Sequence, residues 1–166
     1  MNDFQARRLV NTYSDMILRI SCHYLCRSCD AEDVCQTVFL KYLSSPGSFK
    51  NDQHEKAWII RTTINVCKDI LKSADRSKTV ALDDSMGVCP PPECRSDLMD
   101  AVKCLPENYR ISIYLHYYEG YTAKEIGTLL GKRENTVCSY LTRGRKLLKR
   151  LLSDQGEGGL GNESSL

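Results

Sequence analysis

The spacing of apolar residues constrains this chain more than any other feature of its sequence. In most segments, apolar residues recur at intervals of three and four, as they do on one face of an α-helix. The first such face is formed by Leu9, Tyr13, Met16, Ile17 and Ile20. The strict alternation that half-buried β-strands require is almost absent. The pattern therefore predicts an all-α protein.

One long segment, residues 77–96, interrupts this periodicity. It contains three consecutive prolines, which favour extended polyproline geometry, together with several acidic residues. We therefore expect a flexible linker between two small helical domains. The N-terminal domain, residues 1–76, should contain three or four helices, and the C-terminal domain spans 97–152. The last residues, 153–166, include four glycines and three serines and are expected to be disordered.

Local signals predict where individual helices begin and end. A helix over residues 30–43 should begin at Asp30, whose carboxylate can cap the exposed amides of a first turn. A long helix should follow from about His54 to Asp75. A further helix should begin at Pro106, a residue suited to a first helical turn, and end at Tyr118, whose side chain we expect to face inward.

The segment YTAKEIGTLLG has the signals of a helix followed by a sharp turn. Thr122 stands three residues before Glu125, which predicts a capping box at the start of the helix. Gly131 allows the turn that ends it, and a second helix should begin at about Arg133. A short helix, a glycine turn and a longer helix make a helix-turn-helix, whose second helix fits a DNA major groove.

The charge of the chain is concentrated in this segment. Residues 121–150 contain eight basic and two acidic residues, a local charge of +6, whereas the whole chain carries +2 and the remainder therefore −4. This asymmetry favours a polyanionic partner for one part of the chain. An amphipathic hairpin with a solvated basic face would show the same charge. The capping box, the glycine turn and the basic face coincide, however, and together they favour DNA.

Several classes of protein are disfavoured by the sequence. It has neither a signal-peptide pattern nor an apolar run of roughly 20 residues, so we expect a cytoplasmic protein without membrane insertion. It has no nucleophile–base motif and no glycine-rich phosphate loop, so we do not expect an enzyme. Its nine cysteines should be reduced thiols in the cytoplasm.

The segment CHYLCRSC places four potential zinc ligands close together: Cys22, His23, Cys26 and Cys29. The three cysteines also follow helical spacing, and free cysteine packs as a small apolar residue. No second CxxC pair completes a zinc motif. We therefore predict no metal and no cofactor, and a thiol or metal sensor remains the weaker alternative.

Over roughly residues 5–152, the chain resembles an extracytoplasmic-function sigma factor, the minimal class of bacterial transcription initiation factor. The segment DAEDVCQTVFLKYL resembles the family's helix for binding core polymerase and carries its Asp33, Gln36 and Phe39, although Thr37 replaces an acidic residue. The segment FKNDQHEKAWIIRTTINVCKDIL resembles its promoter-melting segment. The resemblance implies minus-ten DNA contacts at Phe49, Lys50, Asn51, Asp52, Arg61, Asn65, Lys68 and Lys72.

Within that segment, the resemblance places a captured minus-ten base at the loop from Phe49 to His54, with Asn65 on the adjoining helix. Aromatic faces can offset the cost of taking a base out of its stack. Phe49 could equally be core, Trp58 is more consistent with a core residue, and Asn65 could instead be a buried structural amide.

In the second domain, LPENYR, YYEGYTAKEIGTLLG and NTVCSYLTRGRKLL resemble the helix-turn-helix that reads the minus-thirty-five element. The implied contacts are Arg133, Asn135, Thr136, Ser139, Tyr140, Arg143, Arg145 and Lys146. Among these, Arg133, Arg145 and Lys146 are expected to contact phosphates, which position the protein without specifying a sequence. Asn135 and Tyr140 depart from the family's residues, as does Cys138, and these departures bear on which promoter is read.

The resemblance implies an alternative RNA polymerase sigma factor that directs core polymerase to a subset of promoters. Its implied partners are the bacterial RNA polymerase core, promoter DNA and an anti-sigma factor. The alternative is a stand-alone helix-turn-helix regulator that binds DNA without polymerase. That alternative accounts for residues 105–152 but gives no purpose to the motifs of the first domain.

Overall fold

The computed structural model describes residues 3–25, 28–45, 48–80 and 98–154, with the backbone alone at 28, 29, 77–80 and 99. Within these ranges every regular element is a helix, which confirms the prediction of an all-α fold. The chain divides into two compact units, Met1–Gly87 and Val88–Leu166. The predicted tail beyond Asp154 and most of the predicted linker lie outside the described residues.

In the first unit, the residues that the structure describes form three helices: α1 (Asp3–Tyr24), α2 (Ser28–Ser44) and α3 (Asp52–Val80). Each packs against the other two. The five apolar residues whose spacing predicted α1 are all buried, as expected. Val34 and Val38 of α2 and Ile60 and Ile64 of α3 are fully buried, and the two helices pack against each other. Burial of these apolar side chains provides the main stabilisation of the unit.

The ends of two helices differ from the prediction. Since α2 already begins at Ser28, Asp30 lies within its first turn and is not its cap. Its carboxylate still lies at the positive end of the helix dipole. The next helix, α3, begins at an Asn51 cap, whose Oδ1 accepts a hydrogen bond from the backbone N–H of His54 at 2.8 Å. It continues to Val80, four residues into the predicted linker.

Over residues 98–154, the described part of the second unit has four α-helices and one π-helical turn: α4 (Leu98–Lys103), α5 (Glu107–Ile113), the π-helix (Tyr114–Tyr118), α6 (Ala123–Leu130) and α7 (Glu134–Asp154). The long helix α7 packs against α4, α5 and α6. Its inner face is formed by Val137, Leu141 and Gly144. The unit is therefore built around one side of α7, and the opposite side remains available to solvent.

The π-helix explains why one prediction about the core is wrong. Tyr118, expected to face inward, has 61% of its surface exposed. The backbone N–H of Glu119 bonds to the carbonyl of Tyr114, five residues earlier, at 3.3 Å. A turn of this width contains more residues than an α-helical turn and rotates the following side chains away from the core.

The predicted capping box at the start of α6 is confirmed. Thr122 Oγ1 accepts from the N–H of Glu125 at 3.3 Å, and the Glu125 carboxylate accepts from the N–H of Thr122 at 2.8 Å. Gly131 ends α6 with φ of 65°, a left-handed conformation that glycine adopts without steric cost. The helix α6, this turn and α7 form the helix-turn-helix.

Gly127 is expected to be essential for this turn. A Cβ atom here would lie 2.7 Å from the backbone oxygen of Lys132, and the backbone cannot easily move aside. Gly127→Val should lower the unfolding free energy of the second unit by about 3 kcal/mol, measured by urea unfolding followed by circular dichroism. The control is Thr128→Val, on an exposed position of the same helix. Equal losses in the two variants would contradict the steric argument.

Candidate nucleic-acid and polymerase interfaces

One side of α7 carries four of the predicted contact residues. Their spacing of three and four residues places them in one stripe, and all are exposed: Asn135, Ser139, Arg143 and Lys146. Val137 and Leu141 hold the opposite side of the helix in the core. The stripe is about 16 Å long at 1.5 Å per residue, with amide and hydroxyl groups at its beginning and cations further along. This arrangement suits base edges followed by phosphates.

Three other predicted contacts lie beside this stripe. Arg133 is exposed in the turn before α7, and Thr136 is partly exposed on its first turn. The ring of Tyr140 packs against the ring of Tyr109 on α5, with centroids 5.7 Å apart. The structure therefore places Tyr140 between α7 and α5, where it fixes the helix as well as bordering its exposed side.

Arg145 lies on a different side of α7 from Arg143. Two residues apart on an α-helix, the two side chains do not share a face. Arg145 Nη1 donates a hydrogen bond to the hydroxyl of Tyr117 at 2.8 Å, and both side chains are exposed. This pair could not be predicted from local sequence patterns, because its members are separated by 28 residues. The hydroxyl restricts the guanidinium and leaves its remaining N–H groups to face an anion.

In the first unit, four predicted contacts follow one side of α3: Arg61, Asn65, Lys68 and Lys72. Arg61, Asn65 and Lys72 are exposed, and Lys68 is partly buried. Because the amide of Asn65 is exposed, it is not a buried structural group. This stripe carries three cations and one group that can both donate and accept hydrogen bonds.

The loop before α3 is bordered by four aromatic rings, which we call the aromatic cluster: Tyr42, Phe49, His54 and Trp58. Phe49 stacks on Tyr42 at a centroid distance of 5.5 Å and also contacts His54 at 5.6 Å and Trp58 at 5.8 Å. Phe49 and Trp58 are both partly buried, and the Trp58 ring packs against the rings of Tyr42 and Phe49. Neighbouring Lys50, Asn51 and Asp52 are exposed, and Asn51 also caps α3.

A buried carboxylate lies directly beneath this cluster. Glu55 is 4% exposed and accepts hydrogen bonds from three side chains. Arg8 Nη2 contacts its two oxygens at 3.0 and 2.9 Å, Tyr13 donates at 2.8 Å, and Tyr42 also donates. Sequence reasoning missed this network, because a glutamate near the start of a helix is usually solvated.

The network also determines the protonation of its members. Burial alone would raise the pKa of Glu55, but hydrogen bonds from Tyr42 and Tyr13 and the charge of Arg8 hold that pKa below its ordinary value. Burial, together with the hydrogen bond to Glu55, raises the pKa of Tyr42 to about 12. At neutral pH the carboxylate is therefore ionised, and the tyrosines keep the protons that they donate to it.

The predicted polymerase-binding residues lie on α2. Asp33 and Gln36 are exposed on adjacent turns, and Phe39 is partly buried. Leu40 and Leu43, which the sequence analysis did not single out, are 63% and 51% exposed. Their spacing continues the side of the helix on which Gln36 lies. This surface combines a carboxylate, an amide and two exposed leucines, so it can accept a charged hydrogen bond from a partner and also bury apolar area.

The cysteines divide between described and undescribed positions. Cys22 and Cys35 are free thiols, and the side chains of Cys26 and Cys29 lie outside the described residues. Within the described part of the chain, no group of three His, Cys, Asp or Glu side chains could hold a metal ion. Cys104 is disulfide-bonded, in contrast to the expectation that every cysteine is reduced.

None of the described helices has the length and hydropathy of a membrane span.

Comparison with known proteins assigns each unit to a family. The chain matches Sigma-70 region 2 over residues 9–77 and Sigma-70, region 4, over residues 95–148. The first match lies within Met1–Gly87, and the second lies within Val88–Leu166. The two regions therefore coincide with the two helical units and together cover most of the chain.

Individual relatives carry the same description. The chain is 28% identical over 156 residues to ECF RNA polymerase sigma factor SigE of Mycolicibacterium smegmatis, covering 87% of this chain and 60% of that protein. It is 31% identical over 126 residues to ECF RNA polymerase sigma factor SigM of Mycobacterium tuberculosis, covering 74% and 64%. The chain thus spans less than two thirds of the length of these relatives.

A solved structure shares the fold. The sigma factor RpoE of Bartonella quintana, determined in complex with the anti-sigma factor NepR, matches with a TM-score of 0.67 and 20% identity, over 92% of this chain and 98% of that one. Both sigma-70 regions are present in order, each in its own helical unit, and the relatives are extracytoplasmic-function factors. The chain belongs to the extracytoplasmic-function family of RNA polymerase sigma factors.

Proposed function

We propose that this protein is an alternative sigma factor, which binds core RNA polymerase in the cytoplasm and directs it to a subset of promoters. The observation that carries the proposal is that both units expose a stripe of cations and hydrogen-bonding side chains. One stripe lies on α3 and the other on α7. A stand-alone helix-turn-helix regulator needs only the second. The protein itself breaks no covalent bond in this function.

The surface of α2 is the proposed contact with polymerase. Asp33 supplies a carboxylate that suits an arginine of the partner, and Gln36 supplies an amide one turn away. Leu40 and Leu43 offer exposed apolar area next to these polar groups. Apolar area of this kind supplies affinity, and the polar pair supplies orientation.

The stripe on α7 is the proposed reader of the minus-thirty-five element. Asn135 and Ser139 lie toward the beginning of the helix, where side chains of helix-turn-helix proteins meet base edges. Arg143 and Lys146 lie further along and are suited to phosphates. Arg145, held by Tyr117 on another side of the helix, and Arg133 in the turn supply further phosphate contacts.

The loop before α3 and the α3 stripe are the proposed minus-ten site. An unpaired base can stack on the partly exposed ring of Phe49, and the exposed amide of Asn65 can contact a base edge further along α3. The exposed residues 50–52 border the same loop. Arg61, Lys68 and Lys72 would neutralise the phosphates of the opened strand. The site therefore combines stacking, base-edge contact and charge neutralisation.

An anti-sigma factor is the third partner that we propose. The sigma factor RpoE of Bartonella quintana has been determined with such a protein bound. The exposed leucines of α2 are the apolar area on which a competing inhibitor would act, because covering them would prevent polymerase from binding.

Run-off transcription tests the proposal. Purified core polymerase, alone and with the protein, is supplied with a library of genomic promoter fragments. We expect a discrete set of transcripts that appears only when both proteins are present. The stand-alone regulator would instead be supported if the protein bound the fragments but produced no transcripts, and if the immobilised protein did not retain core polymerase.

The double variant Arg143→Ala/Arg145→Ala should weaken duplex binding to all sequences. Each lost phosphate contact removes about 0.9 from the slope of log binding constant against log salt, so the slope should flatten by about 2. Fluorescence anisotropy of labelled duplex over a salt series provides the measurement. The matched control Arg7→Ala/Arg19→Ala removes two exposed arginines from α1. An unchanged slope in the α7 variant would exclude these two residues as anchors.

A further inference from the structure

Glu55 lies in an environment that stability alone does not require. An ionised carboxylate that is 4% exposed must offset a large cost of desolvation. Apolar residues of similar size often stabilise a core equally well. Such buried networks can instead fix one specific arrangement of the surrounding side chains. The position of Glu55, one turn into α3 and directly after the loop, shows which arrangement it can fix.

In the described part of the chain, the side chain of Tyr42 links the carboxylate to the loop before α3. The hydroxyl of Tyr42 donates to Glu55, and the other end of the same side chain stacks on Phe49 at 5.5 Å. The Tyr42 ring also meets the edge of Trp58 at 5.8 Å. The hydrogen bond at the hydroxyl restricts tilting and withdrawal of the ring, and so restricts the face that it offers to Phe49. Tyr13 bonds to the same carboxylate from α1.

We propose that Glu55 is a positioning residue for strand opening: through Tyr42 it fixes the ring of Phe49 in the orientation that receives the unpaired base. The inference rests on the proposed role of the loop in capturing that base. Arg8 and Tyr13 satisfy the remaining acceptor positions of the carboxylate and anchor it to α1. Tyr42 transmits its position to the DNA-facing surface.

Two conservative variants provide a matched comparison. Tyr13→Phe and Tyr42→Phe each remove one hydroxyl that donates to Glu55, and each keeps its ring. Of the two, Tyr42 belongs to the aromatic cluster, where its ring contacts Phe49 and Trp58. The probe is a fluorescein-labelled single strand with the minus-ten sequence of the strongest promoter that wild-type holoenzyme selects from the library. Holoenzymes formed with each variant are titrated with this strand.

We expect Tyr42→Phe to weaken strand binding by roughly tenfold, the order of one stacked base, and Tyr13→Phe to leave it within about twofold of wild type. The emission of Trp58, the single tryptophan of the chain, should change in Tyr42→Phe and not in Tyr13→Phe. Circular dichroism and urea unfolding establish that both variants are folded. If the Glu55 network had a purely structural role, Tyr13→Phe and Tyr42→Phe would lose equal amounts of stability and would bind the single strand equally.

The variant Phe49→Ala distinguishes failure of the proposed minus-ten site from failure of the positioning role of Glu55. If it binds the strand as wild type does, the loop does not receive the base, and both the proposed minus-ten site and the inference fail. If it loses binding while Tyr42→Phe and Tyr13→Phe behave alike, the loop retains its proposed role and the positioning role of Glu55 is overturned. Glu55→Gln, which keeps an acceptor for Tyr42, should restore most strand binding relative to Glu55→Leu; equal loss in both would also overturn it.

Discussion

Replacement of both Asp33 and Gln36 by alanine is expected to abolish co-purification of the protein with core RNA polymerase. The two side chains are exposed on adjacent turns of α2, so their loss removes an anionic and an amide contact together. Truncating charged groups at the centre of an interface typically costs several kcal/mol, about 2–5 for a hydrogen-bonded charge pair. Affinity purification from a lysate containing polymerase, with immunodetection of its large subunits, gives the measurement.

A matched variant distinguishes a lost contact from a lost fold. Asn11→Ala/Asp15→Ala removes one amide and one carboxylate from an exposed side of α1. It should retain polymerase fully, and both double variants should keep the helical circular dichroism of wild type. Undiminished co-purification of the α2 variant would remove the polymerase-binding role from this surface.

Asn65→Ala should lose discrimination at one position of the minus-ten element. An exposed amide on α3 can donate to and accept from one base edge, and a good contact of this kind contributes roughly 1–3 kcal/mol of discrimination. Transcription from a set of promoters that carry every single-base change in the element should therefore show one flattened position, with the other positions unchanged.

A promoter with a pre-opened bubble provides the control for this variant. Recognition of an extruded base persists when the strand is already open, so the bubble should not rescue Asn65→Ala. It should rescue a variant that is defective only in melting. If Asn65→Ala transcribed the single-base promoter variants in the same ratios as wild type, the specific contact would lie elsewhere on α3.

The parts of the fold that depend on short-range signals were predictable. The capping box joins residues three positions apart, and the five buried residues of α1 follow directly from helical spacing. Such features are determined within one or two turns of chain. The exposed stripe of α7 follows from the same periodicity, because the residues that are not needed for its core face solvent.

Features that depend on long-range contacts were not predictable. Glu55 bonds to side chains 47 and 42 positions earlier, and Arg145 bonds to Tyr117 28 positions away. No local pattern indicates a carboxylate that is buried by three helices. The exposure of Tyr118 was missed for a different reason: the π-helix changes the periodicity within a segment whose sequence resembles an ordinary amphipathic helix.

The Glu55 network also constrains how this protein can diverge. The carboxylate accepts from three donors on two other helices, so exchanging any one member alone leaves the buried network with at least one hydrogen bond fewer. Single exchanges at these four positions are therefore expected to be disfavoured relative to joint substitution. In lineages that carry an apolar residue at position 55, we expect substitution of the basic residue at position 8 together with loss of the hydroxyls at positions 13 and 42. Across the family, these four alignment columns should covary although they are far apart in the chain.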